Sequence, residues 1–264
     1  MYPWYYVWSP KYRIFHEVLK FAAGDLSGIS LRPIAMPQEI FTPRVSNGHF
    51  LTGIGIKIYC LLKSLQAHPD QHILFSDVDL IVPDKKLAEK LKAYEKNDIT
   101  AMVEKDTSDE YNIGFMLVKS TPTVLQFFQT VLQRIHKEVR LDQDVFNEEC
   151  KNFQGTLGKF DRKDFIQSNM IRKDIWDAGN YSVVQCLNSG ESYKEIMCGK
   201  LATIIYYYNI TPLLMFVERD IIQSLQEYIS YQNPNHYLAS VNLDSVYGPS
   251  EKSESSSEQL SENA

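Results

Sequence analysis

The 264-residue chain carries 33 acidic against 27 basic side chains, a net charge of −6, and is 44% hydrophobic and 12% aromatic. That is enough apolar material for one full core, while the acidic balance excludes a protein held to a nucleic acid polymer by phosphate contacts, which needs a basic face to release counterions. No run is long enough to span a bilayer, and Met1-Tyr2-Pro3-Trp4-Tyr5-Tyr6-Val7-Trp8 lacks a signal peptide's basic start and cleavage site, so the expectation is a soluble cytoplasmic protein with no membrane anchor.

In chain order, Trp4 to Trp8 predicts an aromatic strand, broken by Ser9-Pro10, and Tyr12 to Ala23 predicts a helix from the spacing of Ile14, Val18, Leu19 and Phe21. Ile29 to Ile34 predicts a second short strand. After a loop with Pro37, Pro43, Asn47 and Gly48, residues Gly53 to Gln66 return to helical spacing. Ile73 to Phe75 is the next strand. Asp84 to Lys96 predicts a helix, Ile99 to Val103 and Ile113 to Val118 strands, and Thr123 to Ile135 an amphipathic helix. Strands alternating with helices of this length predict an α/β domain with an open, mostly parallel sheet flanked by helices, spanning residues 1–248. The Ser/Glu-rich stretch over 249–264 predicts a disordered tail, since it has almost nothing apolar to bury. Cys60, Cys150, Cys186 and Cys198 show no C-x-x-C spacing and read as reduced thiols, with zinc held by Cys186, Cys198 and His236 as the alternative.

The most informative segment is Ile73-Leu74-Phe75-Ser76-Asp77-Val78-Asp79, which sets two carboxylates at the carboxyl end of an apolar strand. Open α/β sheets bind ligands along that edge. Strand alternation sends Asp77 and Asp79 to the same side, where both can face one divalent cation or charged ligand; an acidic turn is the alternative reading. Asn112-Ile113-Gly114-Phe115 opens a later strand, and its glycine permits close backbone approach of a ligand. In Leu141-Asp142-Gln143-Asp144-Val145-Phe146-Asn147, Asp142 is placed to cap a helix. Tyr206-Tyr207-Tyr208-Asn209 follows the apolar Leu201 to Ile205 and reads as a strand end.

Taken in order, Asp-Val-Asp, Asn-x-Gly-Phe and Asp-Gln-Asp-x-x-Asn resemble the nucleotide-diphosphosugar transferases of the GT-A fold, especially glycosyltransferase families 8 and 77, from about Tyr5 to about Tyr228. The resemblance implies a glycosyltransferase that moves a sugar from a nucleotide diphosphate sugar to a glycan or other hydroxyl-bearing acceptor, with Mn²⁺ or Mg²⁺ as cofactor. Asp79 would coordinate the metal and Asp77 would share it or contact the ribose. Tyr6, Trp8 and Ser9 would lie by the base and ribose, and Lys57 could approach the diphosphate. Asn112 and Gly114 would border the sugar pocket, and Asp142 and Gln143 would sit beside the anomeric carbon. The Asp-Gln-Asp arrangement is similar to that of retaining members, with Asp144 a further possible catalytic carboxylate.

Many relatives carry a His-x-Asn whose histidine completes the metal shell, and the matching stretch here reads Tyr207-Tyr208-Asn209, which leaves His236 as an alternative metal ligand. Two other readings stay open. A sugar nucleotidyltransferase normally has a glycine-rich basic phosphate loop near the N-terminus, and none follows Trp8. A catalytically idle nucleotide-sugar-binding module is the third.

Overall fold

The computed structural model describes residues 1–36, 48–104, 109–168, 181–187, 192–233 and 235–248. The loop around Pro37, Pro43 and Asn47, residue Pro234 and the Ser/Glu-rich tail over 249–264 lie outside the described residues.

The chain opens with β1 (Tyr2–Trp8), a short turn of 3₁₀ helix at Pro10–Tyr12, α1 (Arg13–Ala23), β2 (Ile29–Ala35) and α2 (Gly48–Gln66). Next come β3 (His72–Ser76), β4 (Leu80–Ile81), α3 (Leu87–Leu91), β5 (Ile99–Val103), β6 (Tyr111–Lys119), α4 (Pro122–Glu138) and α5 (Asp142–Glu149). Three short strands, β7 (Leu157–Lys159), β8 (Phe165–Gln167) and β9 (Val183–Gln185), precede α6 (Tyr193–Ile204), α7 (Arg219–Gln232) and α8 (Leu243–Tyr247).

The central sheet has the order β2-β1-β3-β6-β5-β7. Its strands all run parallel except β6, which is antiparallel to both β3 and β5. Alternation along these strands builds two cores. In β3, Leu74 points to one face while Ile73 and Phe75 point to the other; in β1, Trp4 and Tyr6 face opposite to Val7. One face is covered by α2, α4 and α5, and the other by α1, the small sheet β4-β9-β8, α6 and α7. The mostly parallel α/β sheet expected from the sequence is thus observed. No helix among the described residues is long and apolar enough to cross a membrane.

Local chemistry sets the element ends. Thr121 caps α4, its hydroxyl accepting from the Val124 amide at 3.2 Å, with Pro122 at the first helical position, where the missing N–H costs nothing. Ser192 and Glu195 form a reciprocal capping box at the start of α6.

Three expectations are corrected. The helix expected from Asp84 begins at Leu87, because the Asp84 carboxylate accepts from the Lys86 amide at 2.7 Å and from Lys90 and holds a turn there. Leu201 to Ile205 is not a strand leading to Tyr206; it belongs to the last turn of α6 and its cap. Asp142 is the first residue inside α5 and Leu141 is its cap, which leaves the Asp142 side chain available for other partners.

The α2–α4 layer depends on aromatic packing. Phe128 is fully buried against Phe127 and Phe146. Phe128→Ala is expected to destabilise the protein by about 3–5 kcal/mol through lost burial and the cavity left behind, measured as a lower urea midpoint with unchanged slope.

Candidate active site

Asp77 and Asp79 mark the point where the chain leaves the central sheet for the small one. The Trp4 indole donates to Ser76 Oγ at 2.8 Å, and Ser76 Oγ donates to the Asp77 carbonyl, also at 2.8 Å. The Asp77 amide donates to the Gly114 carbonyl at 2.9 Å, so Asp77 is fixed between the ends of β3 and β6. Two residues on, the Asp79 carbonyl accepts from the Cys186 amide at 2.8 Å, continuing the β4–β9 pairing. The two carboxylates therefore stand at the junction of both sheets, on the carboxyl edge of β3.

Opposite β5, strand β6 bulges: Ala101 pairs with Met116 and Met102 with Asn112, so the Ile113-Gly114-Phe115 segment lies in the irregularity. Within it the Gly114 amide donates to Asn112 Oδ1 at 2.8 Å, and Asn112 Nδ2 donates to Glu104 Oε2 at 2.7 Å. A Cβ at Gly114 would lie 1.9 Å from Gln185 Nε2, so a larger residue there would push the Gln185 amide away from its present place. The space left by the missing side chain is filled by the Gln185 amide.

Lys57 of α2 joins two of the sequence motifs. Its ammonium is 2.8 Å from Asp77 Oδ1 and 3.2 Å from Asp142 Oδ2. Burial pulls the ammonium's pKa down, but the Asp142 and Asp77 carboxylates outweigh it and hold Lys57 above its ordinary value, fully charged. Burial pushes the Asp77 carboxyl up, and Lys57 draws it only part of the way back. Asp77 Oδ2 accepts from Gln185 Nε2 at 3.3 Å. Asp79 is ion-paired through Oδ2 with Lys200 of α6, whose ammonium also donates to the Cys186 carbonyl at 3.0 Å. Asp79 Oδ1 and Gln185 Oε1 are buried with no hydrogen-bond partner. Tyr12 lies close to both carboxylates: burial raises its phenol, and Asp79 and Asp77 raise it further.

The expected site residues divide. Asp77, Asp79, Lys57, Asn112, Gly114 and Asp142 meet at the junction. Ser9, at the carboxyl end of β1, is buried with its hydroxyl unpartnered. Trp8 is half-buried and stacks on His16 at 4.3 Å. The Tyr6 side chain is wholly buried in the core, and its hydroxyl is hydrogen-bonded to His16 Nδ1 at 3.0 Å. Gln143 and Asp144 line a groove with Tyr111, Asn147 and Lys159. His236 Nδ1 caps the 3₁₀ turn Tyr237–Ser240 by accepting from the Leu238 amide at 3.2 Å, and its ring packs on Tyr237. The side chain that reaches Asp77 from the small sheet is Gln185. The described cysteines are free thiols, and burial followed by the nearby Asp79 holds Cys186 well above the ordinary thiol value, in its neutral form.

The sequence reading missed Gln185 and Lys200. Lys200 carried a signal, since it interrupts the buried face of α6 between Ile196, Met197, Leu201 and Ile204. Gln185 ends a strand of three residues, too short for periodicity to mark.

A Mg²⁺ or Mn²⁺ ion at a diphosphate site needs one or two unencumbered carboxylate oxygens, with waters and phosphate oxygens completing its shell. Here Asp77 Oδ1 faces an ammonium, Asp77 Oδ2 an amide N–H and Asp79 Oδ2 a second ammonium, which leaves Asp79 Oδ1 as the open oxygen of the pair. Among the described residues, no three His, Cys, Asp or Glu side chains gather as a metal shell. The side chains as arranged do not fit Mn²⁺ or Mg²⁺ at this pair: Lys200 holds the place on Asp79 that the ion would take.

A mostly parallel sheet with one reversed strand, and paired aspartates at its carboxyl edge, define the class of a sugar-nucleotide transferase of the GT-A type. The sequence profile of the nucleotide-diphospho-sugar transferases matches residues 64–195, and the chain belongs to that family. Among solved structures, a glycosyltransferase involved in glycosylating the major capsid of PBCV-1 aligns at 11% identity over 71% of this chain and 95% of its own, with a TM-score of 0.51. The galactosyltransferase LgtC, solved with donor and acceptor sugar analogs, aligns at 16% identity over 69% of this chain and 86% of its own, with a TM-score of 0.44. No curated protein sequence matches this one.

Replacing Lys57 by Met strands two carboxylates beside each other, at an expected cost of about 3 kcal/mol. With Asp77 raised further above its unfolded value, the folded protein takes up that proton first, so the loss shrinks as pH falls. Urea unfolding of Lys57→Met is expected to show a larger deficit at about pH 8 than at about pH 5.

Proposed function

We propose that this chain transfers a glycosyl group from a nucleoside diphosphate sugar to an acceptor hydroxyl, with the donor's diphosphate at the Asp77–Asp79 junction and its sugar toward Asp142 and Asn112. The observation that carries this reading is the Lys57 bridge, which brings the aspartate pair and the Asp142 motif into one site. A lysine offers three N–H donors; among the described residues Lys57 uses two on carboxylates, and the third suits a phosphate oxygen.

Retention of configuration is the course this arrangement supports. An inverting enzyme needs a carboxylate base free to take the acceptor's proton, and the Asp142 carboxylate, though still negative, is held in an ion pair by the Lys57 ammonium. On a front-side route, the bond from the anomeric carbon to the diphosphate breaks with its electron pair leaving on the phosphate oxygen. The acceptor oxygen bonds to the same face of that carbon, and its proton passes to the departing phosphate. The Asp142 carboxylate then stabilises the oxocarbenium charge of the transition state. No step of this reading runs through the Mn²⁺ or Mg²⁺ expected from the sequence, given the lysine on Asp79.

Incubation with a panel of nucleotide diphosphate sugars, followed by mass spectrometry, tests the assignment. Slow release of free sugar and nucleoside diphosphate from at least one donor is expected, and Asp142→Asn is expected to lower that rate by about 10²-fold with little change in donor KM. Pyrophosphate release from a nucleoside triphosphate plus a sugar phosphate, with no donor consumed, would instead identify a nucleotidyltransferase.

A further inference from the structure

The lysine on Asp79 is built into the site. Lys200 lies on the buried face of α6, its side chain about as enclosed as Lys57, at 10% exposure against 11%. It is anchored twice, on the Asp79 carboxylate and on the Cys186 carbonyl. Its ammonium is also 6.0 Å from the centre of the Tyr12 ring, and Tyr12 itself borders both aspartates. The unpartnered, buried Asp79 Oδ1 shows that this carboxylate has capacity left for a ligand group or water.

Two carboxylates at a diphosphate site repel the donor unless a cation neutralises them. Lys57, shared between Asp77 and Asp142, and Lys200 on Asp79 supply two such charges. Lys200 uses two of its three N–H groups among the described residues, leaving the third for a phosphate oxygen. An ammonium and a divalent ion cannot share Asp79 Oδ2, and Asp77 Oδ2 accepts from the Gln185 amide at 3.3 Å, a neutral N–H donor that cannot ligate a cation.

We propose that Lys200 is the resident cation of this site, a tethered ammonium that binds the donor's diphosphate in place of a divalent metal, so that donor binding does not depend on Mn²⁺ or Mg²⁺. The inference rests on the glycosyl-transfer reading above and adds a residue and a cofactor independence to it. On bond cleavage, charge growing on the leaving diphosphate meets a fixed ammonium held by two anchors, and little reorganisation is needed.

Calorimetric titration of the full chain with the uridine, guanosine, adenosine, cytidine and thymidine diphosphates, in EDTA and in excess Mn²⁺, tests this. At least one diphosphate is expected to bind with dissociation constants within about twofold of each other in the two buffers. The Mn²⁺ paramagnetic resonance signal is expected to be unchanged by the protein alone. Lys200→Met uncovers Asp79; it is expected to lose diphosphate affinity by about tenfold or more in EDTA, and to recover part of it with Mn²⁺. Lys200→Arg, which keeps the charge, is expected to retain binding in EDTA. Wild-type binding that appears only with Mn²⁺, or unchanged affinity of a folded Lys200→Met in EDTA, overturns the proposal while leaving glycosyl transfer standing. Absence of binding to every diphosphate in both buffers overturns the donor-site reading as well. If Lys200→Met does not fold, the wild-type comparison between EDTA and Mn²⁺ decides alone.

Discussion

The site depends on one buried ammonium. Lys57 projects from α2 between the end of β3 and the start of α5, and neutralises Asp77 and Asp142 together. Without it, two carboxylates from segments more than sixty residues apart would face each other in a partly dehydrated space, where their repulsion is least screened. With it, the central sheet, α2 and α5 are held in register at the point where the chain crosses to the small sheet. Even so, a buried ion pair of this kind gains little net stability, because desolvation offsets most of the attraction. Its contribution is geometric: it fixes which side chains share the site.

The second constraint is the path of the backbone. Asp77 is hydrogen-bonded into the central sheet through Gly114, and Asp79 into the small sheet through Cys186, so the aspartates span a seam between two sheets. The seam admits groups from elements that are distant in sequence. Gln185 enters because β9 pairs with β4, and Lys200 because α6 packs against the same core. Gly114 makes room for Gln185, so the glycine of the Asn-x-Gly segment serves the protein's own side chain where the sequence suggests an approaching ligand. The surroundings of the aspartates consequently consist largely of N–H donors.

Some outcomes show how a residue type can match an expectation while its environment does not. Tyr6 belongs to a strand that reaches the site, but strand alternation turns it into the core beside His16. Gln143 and Asp144 adjoin Asp142, yet helical geometry rotates successive side chains by about 100°, and only Asp142 meets Lys57 while the other two line a neighbouring groove. His236 is polar and sits in a loop, and its nitrogen is used locally as a helix cap.

The sequence by itself determined the alternating α/β order and the principal strands β1, β3, β5 and β6. It also placed the aspartate pair on the binding edge, because apolar periodicity and strand ends are local properties of the chain. Lys57, Asp77, Asp79, Asn112, Gly114 and Asp142 could be named as candidates for the same reason, since each sits in or beside a well-patterned element, and the structure brings them close together. The small sheet, made of strands of two or three residues, was not, since so short a run has no measurable period. Only the tertiary structure decided what faces the aspartates. That outcome turns on pairing β4 with a strand a hundred residues later and on the packing of α6, and it put an amide on Asp77 and an ammonium on Asp79 where the motif alone suggested a metal ion.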